Sequence, residues 1–252
     1  MFSVDLNCDM GESFGAWQMG LDAELMDYVS SVNVACGFHA GDASVIRKTV
    51  ETAIVKNVRI GAHPSFPDLQ GFGRRAMKMS PAEIFDIVLY QVAALKGICE
   101  ASGGKLHHVK PHGALYNQAA TDKILAEAIA TAVKSIDGNL ILYGLSNSFL
   151  ISEAKRIGLK TASEVFADRT YQPDGILTPR SQPNALIETV EKSCEQVLEM
   201  ITAQIVTATN GEKISIRVDT ICIHGDGAHA LEFARAINRT LGEKGIRIKA
   251  GL

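Results

Sequence analysis

The chain has 252 residues, of which 46% are hydrophobic and 21% are charged, a composition typical of a soluble globular protein. Its 25 Lys and Arg residues against 28 Asp and Glu residues give a formal net charge of −3. This charge offers no basic surface for nucleic acid or an anionic membrane, so neither is an expected partner. At this length one domain can bury a large core, and we expect a single domain over residues 1–252.

The cysteines and the hydropathy pattern favour a reduced, cytoplasmic protein. The cysteines are odd in number, widely spaced and without a C-x-x-C pair, which argues against a disulfide framework. They are Cys8, Cys36, Cys99, Cys194 and Cys222. No charged-then-apolar leader opens the sequence, and no apolar run approaches the roughly 20 residues that span a bilayer.

Short apolar segments alternate with longer helical patterns along the whole chain, and no two-residue hairpin turn joins one segment to the next. The predicted strands are 3–7, 32–35, 58–61, 106–109, 140–143, 161–165 and 220–223. Continuous apolar runs are typical of buried parallel strands that helices connect. The pattern favours a single (β/α) barrel, with an open doubly wound sheet as the alternative.

Three helices are predicted between these strands. Asp42 can cap the first, which carries apolar residues at helical spacing. Ser80 can begin the second through a capping box, and the glycines at 103–104 end it. The stretch from Pro183 to about Thr209 also has a helical pattern.

Polar residues follow almost every predicted strand at once. The loops read N-C-D-M-G-E at 7–12, C-G-F-H-A-G-D at 36–42, A-H-P-S-F-P-D at 62–68, K-P-H-G at 110–113, F-A-D-R-T-Y at 166–171 and H-G-D-G at 224–227. The carboxyl ends of the strands in a parallel barrel open on one rim, so these loops should converge there. We expect the functional site at this rim.

Four of the seven histidines occupy equivalent places in these loops, which favours a shared function over four unrelated structural roles. They are His39, His63, His112 and His224. Histidine can donate, accept and bind metal near neutral pH, so it suits either catalysis or ligation. A structural role is the expectation for the other three, which are His107, His108 and His229.

Several charged residues have two interpretations. Asp9 and Glu12 follow the first strand, where one can be a general base and the other an orienting group. Lys110 can stabilise an oxyanion or a phosphate, and Arg169 can do the same. Asp42 is either only a helix cap or also a site residue.

Arginines and glycine-rich segments add two further observations. Arg74 and Arg75 are either a solvated pair or a bidentate site for a substrate carboxylate. G-F-G-R-R-A at 71–76 follows no predicted strand, and G-D-G-A-H-A at 225–230 marks at most an anion-friendly helix start. The sequence therefore predicts no nucleotide site on this chain.

Six of these segments together resemble the LamB/YcsF family, which is associated with the prokaryotic, ATP-hydrolysing 5-oxoprolinase. They are D-L-N-C-D-M-G-E-S-F-G at 5–15, N-V-A-C-G-F-H-A-G-D at 33–42, G-A-H-P-S-F-P-D-L-Q-G-F-G-R-R at 61–75, V-K-P-H-G-A-L-Y-N at 109–117, E-V-F-A-D-R-T-Y at 164–171 and I-C-I-H-G-D at 221–226. They occur in order and span nearly the whole chain, so the resemblance is specific.

The resemblance implies a fold, a reaction and partners. The implied fold is the irregular (β/α)7 barrel of the glycoside hydrolase/deacetylase type. The implied reaction is ATP-dependent opening of the lactam ring of 5-oxo-L-proline (pyroglutamate) to L-glutamate. It is shared with partner subunits B and C, which would bind the ATP, and a homo-oligomer is compatible with the sequence.

We expect this chain to perform the hydrolytic half of that reaction on an activated, phosphorylated lactam. The expected catalytic residues are Asp9, Glu12, His63, Lys110, His112, Asp168 and His224. The expected substrate-binding residues are His39, Asp42, Arg74, Arg169 and Asp226.

A divalent metal and two other functions remain open. Candidate ligands for a metal are Asp9, His39, His63 and His224. Phosphate activation makes a Lewis acid less necessary, so we do not expect the metal to be obligatory. One alternative function is a stand-alone, metal-dependent amide or carbohydrate-acetyl hydrolase. Another is a non-catalytic subunit that only binds a small acid.

Overall fold

The computed structural model describes residues 3–225 and 230–251. Its strands are β1 (Ser3–Met10), β2 (Ser31–Ala35), β3 (Arg59–His63), β4 (Leu106–Val109), β5 (Ile141–Leu145), β6 (Lys160–Phe166), β7 (Ile205–Thr207), β8 (Lys213–Ser215), β9 (Thr220–Ile223) and β10 (Arg247–Ile248). Its helices are α1 (Asp22–Leu25), α2 (Ala43–Val55), α3 (Pro81–Ala101), α4 (Gly113–Thr121), α5 (Lys123–Ile136), α6 (Phe149–Arg156), α7 (Val190–Ala203) and α8 (Ala230–Glu243).

Seven parallel strands form a closed barrel in the order β1-β2-β3-β4-β5-β6-β9. Closure comes from β9, which pairs with β6 on one side and with β1 on the other. In the closing pair, Asp5 lies opposite Thr220 and Cys8 opposite Ile223. The seven predicted strands and the (β/α)7 barrel are confirmed, and the pairing of β1 with β9 excludes the open sheet.

Two predicted helix starts are also confirmed. The carboxylate of Asp42 accepts hydrogen bonds from the backbone N–H groups of Ser44 and Val45 at the start of α2. The capping box of α3 is complete, because Ser80 Oγ accepts from the Glu83 N–H while the Glu83 carboxylate accepts from the Ser80 N–H. Gly103 follows the end of α3 with a φ of +79°, the left-handed conformation that favours glycine.

The predicted helix over 183–209 is wrong at both ends, since α7 covers only Val190–Ala203. Asn184 has a positive φ, and Leu186 forms a bridge to Arg169, so the segment before α7 is a loop. Gln204 adopts the left-handed conformation that ends α7. The β-branched residues of β7 then pair with β8 as an antiparallel hairpin, and neither strand was predicted.

The main apolar core joins the barrel wall to the surrounding helices. Strand residues such as Val34 and Val109 share it with helix residues such as Val88 and Ile129. Burying each large aliphatic side chain stabilises the fold by about 1.5–3 kcal/mol. All five cysteines are free, as expected. Among the described residues, no helix is both long enough and apolar enough to span a bilayer.

The barrel interior, in contrast, is polar. Its lower part is the Asp5 layer, which consists of Asp5, Ser30, Ser31, Tyr143 and Thr220. The Asp5 carboxylate accepts hydrogen bonds from all four hydroxyl groups, at donor–acceptor distances of 2.6–3.0 Å. Side chains alternate between the faces of a strand, so the residues two and four positions further along β1 also point inward, toward the rim.

Candidate active site

A buried lysine lies between two carboxylates at the upper end of the barrel. Lys110, which directly follows β4, places Nζ 2.9 Å from Asp9 Oδ1 and 3.0 Å from Glu164 Oε1. All three side chains are buried. Breaking a buried pair by removing one partner costs about 3–5 kcal/mol, so the three groups depend on one another.

The charges of this group hold each other in place. Burial acts to raise the pKa of Asp9, but the charges of His63 and Lys110 outweigh it and hold that pKa well below its usual value. Burial acts to lower the pKa of Lys110, and Asp9 and Glu164 among its neighbours outweigh it, so that pKa is raised. Asp9 is therefore a carboxylate and Lys110 an ammonium at neutral pH.

Amide side chains orient this ion group from below. Asn33 donates to Asp9 Oδ1 at 2.8 Å, and Asn7 donates to Glu164 Oε1 at 2.9 Å. Asn7, Asn33 and Glu164 were not predicted as site residues. The signal was present, because polar and charged residues inside otherwise apolar parallel strands need a partner within the barrel.

Four further side chains form what we term the rim histidine cluster, which consists of Glu12, His39, His63 and His112. His112 Nδ1 lies 2.9 Å from His63 Nε2 and 3.6 Å from Glu12 Oε1. His39 Nε2 lies 3.4 Å from the same Glu12 oxygen, and the His39 ring stacks on that of His112 at 3.9 Å. All four side chains are buried.

Backbone carbonyls fix the tautomers of two of these rings. His63 Nδ1 lies 2.7 Å from the Lys110 carbonyl oxygen, and His112 Nε2 lies 2.9 Å from the Phe72 carbonyl oxygen. A carbonyl can only accept, so each of these outer nitrogens carries the hydrogen. Burial lowers the pKa of His39 and of His112 well below the usual value, which favours their neutral forms.

Gly73 is required beside this cluster. Its φ is +62°, and a Cβ atom there would lie 2.8 Å from the His112 ring and 2.9 Å from His39 Cβ. A side chain at this position would therefore combine a strained backbone with a clash against two cluster members.

A second histidine is paired with a carboxylate across the rim. His224, which follows β9, places Nδ1 2.8 Å from Asp168 Oδ2 in the loop after β6. Burial acts to raise the pKa of Asp168, but the neighbouring His224 outweighs it and the pKa is lowered. The carboxylate fixes Nδ1 as the protonated nitrogen, which leaves Nε2 to exchange protons with a ligand.

These groups meet at a cavity of about 320 Å³. It is lined by Asp9, His63, Arg74, Lys110, Pro111, His112, Gly113, Ala114, Tyr116, Asn117, Phe166, Arg169, Leu177, Pro179, Arg180, Ser181 and His224. Its charged lining combines arginines and a lysine with a carboxylate and three histidines. Such a cavity can hold a small anionic ligand and exchange protons with it.

The Arg169 side chain both stabilises a loop and contributes a positive charge to the cavity. Its guanidinium donates to the carbonyl oxygens of Thr178 and Ala185, at 2.5 Å and 3.2 Å, which ties together the loop after β6. Burial and the nearby charge of Arg180 lower the pKa of Arg169 to about 10, so it stays a cation at neutral pH.

The structure brings most of the predicted residues together. Glu12 and His39 do not line the cavity but lie behind His63 and His112, and Asp168 lies behind His224. Asp226 and His229 fall outside the described residues. His108 lies below the rim, with Nε2 2.8 Å from Asn33 Oδ1, which fits the structural role expected for it.

Asp42 and Arg75, for which the sequence left two interpretations, both make structural contacts. Asp42 does not line the cavity, and besides capping α2 its carboxylate accepts from the Gly15 N–H at 2.8 Å. Asp42 therefore has the structural role of a helix cap, and its role in substrate binding stays a prediction. Arg75 forms an ion pair with Asp68, whereas Arg74 lines the cavity with its guanidinium over the Phe72 ring.

Residues 11–15 spell G-E-S-F-G, which fits the G-x-S-x-G pattern of serine hydrolases. That pattern requires the serine at a sharp turn from a strand into a helix, next to a histidine. Here the Ser13 hydroxyl instead accepts from the Met19 N–H at 2.9 Å. The segment is a loop, so the structure gives no support for a nucleophilic serine.

Two groups of described residues have the composition of a metal site. One is the rim histidine cluster, and the other consists of Asp9, Cys222 and His224. The second group is already engaged, since Asp9 binds Lys110, and burial raises the pKa of the Cys222 thiol. The four ligands expected from the sequence are thus divided between two groups, and the rim histidine cluster fits a divalent ion better.

Comparison with known proteins gives one consistent family. The model of the LamB/YcsF family matches residues 4–251. The chain is 61% identical to the A subunit of 5-oxoprolinase from Tolumonas auensis over 250 residues, which are 99% of this chain and 100% of that protein.

Solved structures agree on the fold. A lactam utilization protein from Thermus thermophilus superimposes with a TM-score of 0.93 at 44% identity, covering 99% of this chain and 100% of that one. A family 4 carbohydrate esterase from Streptomyces lividans has a TM-score of 0.51 at 13% identity, covering 98% of this chain and 91% of that one. The second likeness concerns the fold alone.

Proposed function

The chain belongs to the LamB/YcsF family, and from this premise we propose that it is one component of a cytoplasmic, multisubunit 5-oxoprolinase. In this role it opens the lactam ring of 5-oxo-L-proline to give L-glutamate. The names of its relatives support this substrate, since they include the A subunit of a 5-oxoprolinase and a lactam utilization protein. The cavity supports a small anionic ligand of this kind.

We assign the hydrolytic half of the reaction to this chain, as one catalytic domain over residues 1–252. Partner subunits B and C would bind ATP and phosphorylate the lactam carbonyl oxygen. A five-membered lactam resists attack by water because amide resonance lowers the reactivity of its carbonyl carbon. Phosphorylation removes that resonance and makes the same carbon electrophilic.

Ring opening then consumes one water molecule. Its oxygen adds to the ring carbon, the carbon–nitrogen bond breaks, and both water protons end on the nitrogen, which becomes the amine of glutamate. The opened ring is a single molecule that carries both this amine and an acyl phosphate, and a second water molecule hydrolyses the acyl phosphate to give glutamate and inorganic phosphate. One group that first accepts and then returns a proton can serve the ring-opening step.

His224 is our candidate for that group. Asp168 holds its Nδ1–H, so Nε2 is the acceptor in the neutral ring and becomes a donor once protonated. Lys110 lies in the same cavity and supplies a buried positive charge where negative charge develops on oxygen. The observation that carries the proposal is this shared cavity, which joins an oriented histidine to a buried ammonium.

Charge at the cavity supports the choice of an anionic substrate. Arg74, Arg169 and Arg180 line it together with Lys110, which gives four cations at a cavity of about 320 Å³. Guanidinium groups bind carboxylates and phosphates through paired hydrogen bonds. We assign the substrate carboxylate and the transferred phosphate to these cations.

The test is glutamate release from 5-oxo-L-proline by the purified chain, alone and with subunits B and C, each with and without ATP. Glutamate should form only when the partners and ATP are present. His224→Gln in the complete complex should lower the rate about 10²–10⁴-fold, because general acid–base catalysis contributes that much. His107→Gln is the matched control, since His107 does not line the cavity.

Each other outcome contradicts part of the proposal. Glutamate release by the chain alone would refute the division of labour between subunits. If the complete complex releases no glutamate, the proposed reaction is refuted. The alternative function, a metal-dependent amide or carbohydrate-acetyl hydrolase, would then be favoured. Unchanged activity in His224→Gln would remove His224 from the proton-transfer role.

A further inference from the structure

The rim histidine cluster contains an electrostatic conflict that the proposed reaction does not explain. The inner nitrogens of His63 and His112 lie 2.9 Å apart, and that of His63 also lies 3.3 Å from Asp9 Oδ2. Their outer nitrogens already donate to the carbonyl oxygens of Lys110 and Phe72. In their neutral forms, therefore, both inner nitrogens present lone pairs to each other, and two lone pairs at this distance repel.

A cation at these nitrogens would resolve the conflict. It is either a proton on His63 Nε2, which Asp9 and His112 would share, or a metal ion. His39 distinguishes the two. Neither of its ring nitrogens has a hydrogen-bond partner among the described residues, although the side chain is only 1% exposed. Leaving a buried polar group without a partner costs about 1–3 kcal/mol. A proton held between His63 and His112 does nothing for His39, whereas a metal ion can take all three rings.

We propose that Glu12, His39, His63 and His112 bind one divalent transition-metal ion in the wall of the cavity. The four candidate ligand atoms all lie within 4.8 Å of one another. Metal–nitrogen and metal–oxygen bonds of about 2.0–2.2 Å in a tetrahedral site place neighbouring ligand atoms roughly 3.3 Å apart. The contacts of 2.9, 3.4 and 3.6 Å within the cluster bracket that value.

The arrangement around the cluster is also that of a metal site. Ligating histidines usually donate their other N–H to a carbonyl or a carboxylate, which fixes the ring and its tautomer, as is seen here for His63 and His112. Three imidazoles and one carboxylate suit zinc, cobalt, nickel or iron better than magnesium or calcium. Because His63 and His112 line the cavity, the ion would supply a Lewis acid at its wall.

Metal binding is measured on the full chain by itself, so this inference does not rest on the proposed reaction. The chain is treated with a chelator, dialysed and titrated with Zn²⁺ in competition with a chromogenic chelator, and separately with Co²⁺ followed by absorption. We expect one equivalent per chain and the intense visible bands of low-coordinate Co²⁺. A crystal soaked in Zn²⁺ should show one anomalous peak about 2.0–2.1 Å from His63 Nε2.

Four single variants locate the site. His39→Gln and Glu12→Gln should each weaken Zn²⁺ binding about 100-fold or more, because each removes a direct ligand. His107→Gln, outside the cluster, should bind like the parent chain. His224→Gln should also bind normally, because His224 belongs to the other candidate group. Glu12→Gln keeps the size of the side chain, so it remains informative if His39→Gln fails to fold by circular dichroism.

The opposing outcomes are equally distinct. Absence of stoichiometric binding would overturn the proposal and leave a proton shared between His63 and His112. Binding that survives in both His39→Gln and Glu12→Gln but is lost in His224→Gln would place the ion at Asp9, Cys222 and His224 instead. The His39 and His112 rings are stacked. Binding of the metal ion by both rings therefore requires the His39 ring to rotate out of this stack. An unmoved His39 ring in the soaked crystal would contradict its role as a ligand.

Discussion

The Asp5 layer and the rim histidine cluster are both polar groups at opposite ends of one barrel, yet only in the Asp5 layer are the hydrogen-bonding groups satisfied. The Asp5 carboxylate accepts from four hydroxyl groups. The His39 ring nitrogens have no hydrogen-bond partner among the described residues. A polar network with all its partners stabilises one structure, whereas a buried group that lacks partners is available to a ligand.

The position of each group in the barrel explains the difference. The Asp5 layer lies where the strands begin, and nothing in the cavity lining belongs to it. The rim histidine cluster lies where the strands end, and two of its members line the cavity. Between the two groups, Lys110 bonds to Asp9 above and lies 3.3 Å from Asn7 Oδ1 below. Substitutions can therefore separate stability from function at the two ends.

Lys110→Ala should have the largest effect, because Lys110 lies between the two regions, where it both neutralises buried carboxylates and lines the cavity. It leaves Asp9 and Glu164 buried without their cation, which should lower the free energy of unfolding by about 3–5 kcal/mol. It also removes from the cavity the buried ammonium that we assign to the oxyanion, so glutamate formation by the complex should be lost. Urea unfolding and the glutamate assay measure the two effects separately.

A double variant provides the control for this effect. Lys110→Ala combined with Glu164→Gln removes one of the two unpaired carboxylates, so it should unfold at a higher urea concentration than Lys110→Ala alone. If the double variant is the less stable of the two, Lys110 does not stabilise the Glu164 carboxylate, which would contradict the ion pair between them.

Asp5→Ala should affect stability alone. Four hydroxyl groups lose a charged acceptor, and we expect a loss of about 3 kcal/mol in the free energy of unfolding. His39→Gln, at the other end, should cost about 1 kcal/mol or less, because His39 makes no hydrogen bond to residues 3–225 or 230–251 that the substitution could break.

Either of two results would contradict the assignment of stability to the Asp5 layer and of function to the rim histidine cluster. One is a His39→Gln variant that loses as much stability in urea as Asp5→Ala. The other is an Asp5→Ala variant that folds but forms glutamate at a rate far below that of the parent complex. Asp5→Asn, which keeps the size of the side chain, checks that the loss comes from the charge and not from a cavity.

The strand pattern made the barrel predictable. Each of the seven predicted strands overlaps a strand of the closed ring, because continuous apolar runs bounded by polar loops leave few alternatives. The placement of polar residues after the strands identified the rim in the same way. His63, Lys110 and His224 lie far apart in sequence and meet at one cavity because parallel strands end on one side.

Other features could not be predicted, because they depend on contacts between distant segments. The helical pattern predicted one helix over residues 183–209. In the structure, the left-handed backbone conformation of Gln204 ends α7, and the residues that follow form β7, which pairs with β8. A glutamate inside a predicted strand indicates that Glu164 has a partner within the barrel, but only the closed ring shows that this partner is Lys110. The tautomers of His63 and His112 depend on two carbonyl groups whose positions no local pattern specifies.

Ser80→Ala should have the smallest effect and tests whether a site far from both regions is independent of them. It removes the hydroxyl that caps α3, and loss of such a cap costs about 1 kcal/mol in the free energy of unfolding. Glutamate formation by the complex and Zn²⁺ binding should both equal those of the parent chain, because Ser80 contacts neither region. A changed Zn²⁺ affinity in this stable, folded variant would show that the rim histidine cluster responds to helix packing. The contrast with the Asp5 layer would then be one of degree, since both regions would depend on the scaffold.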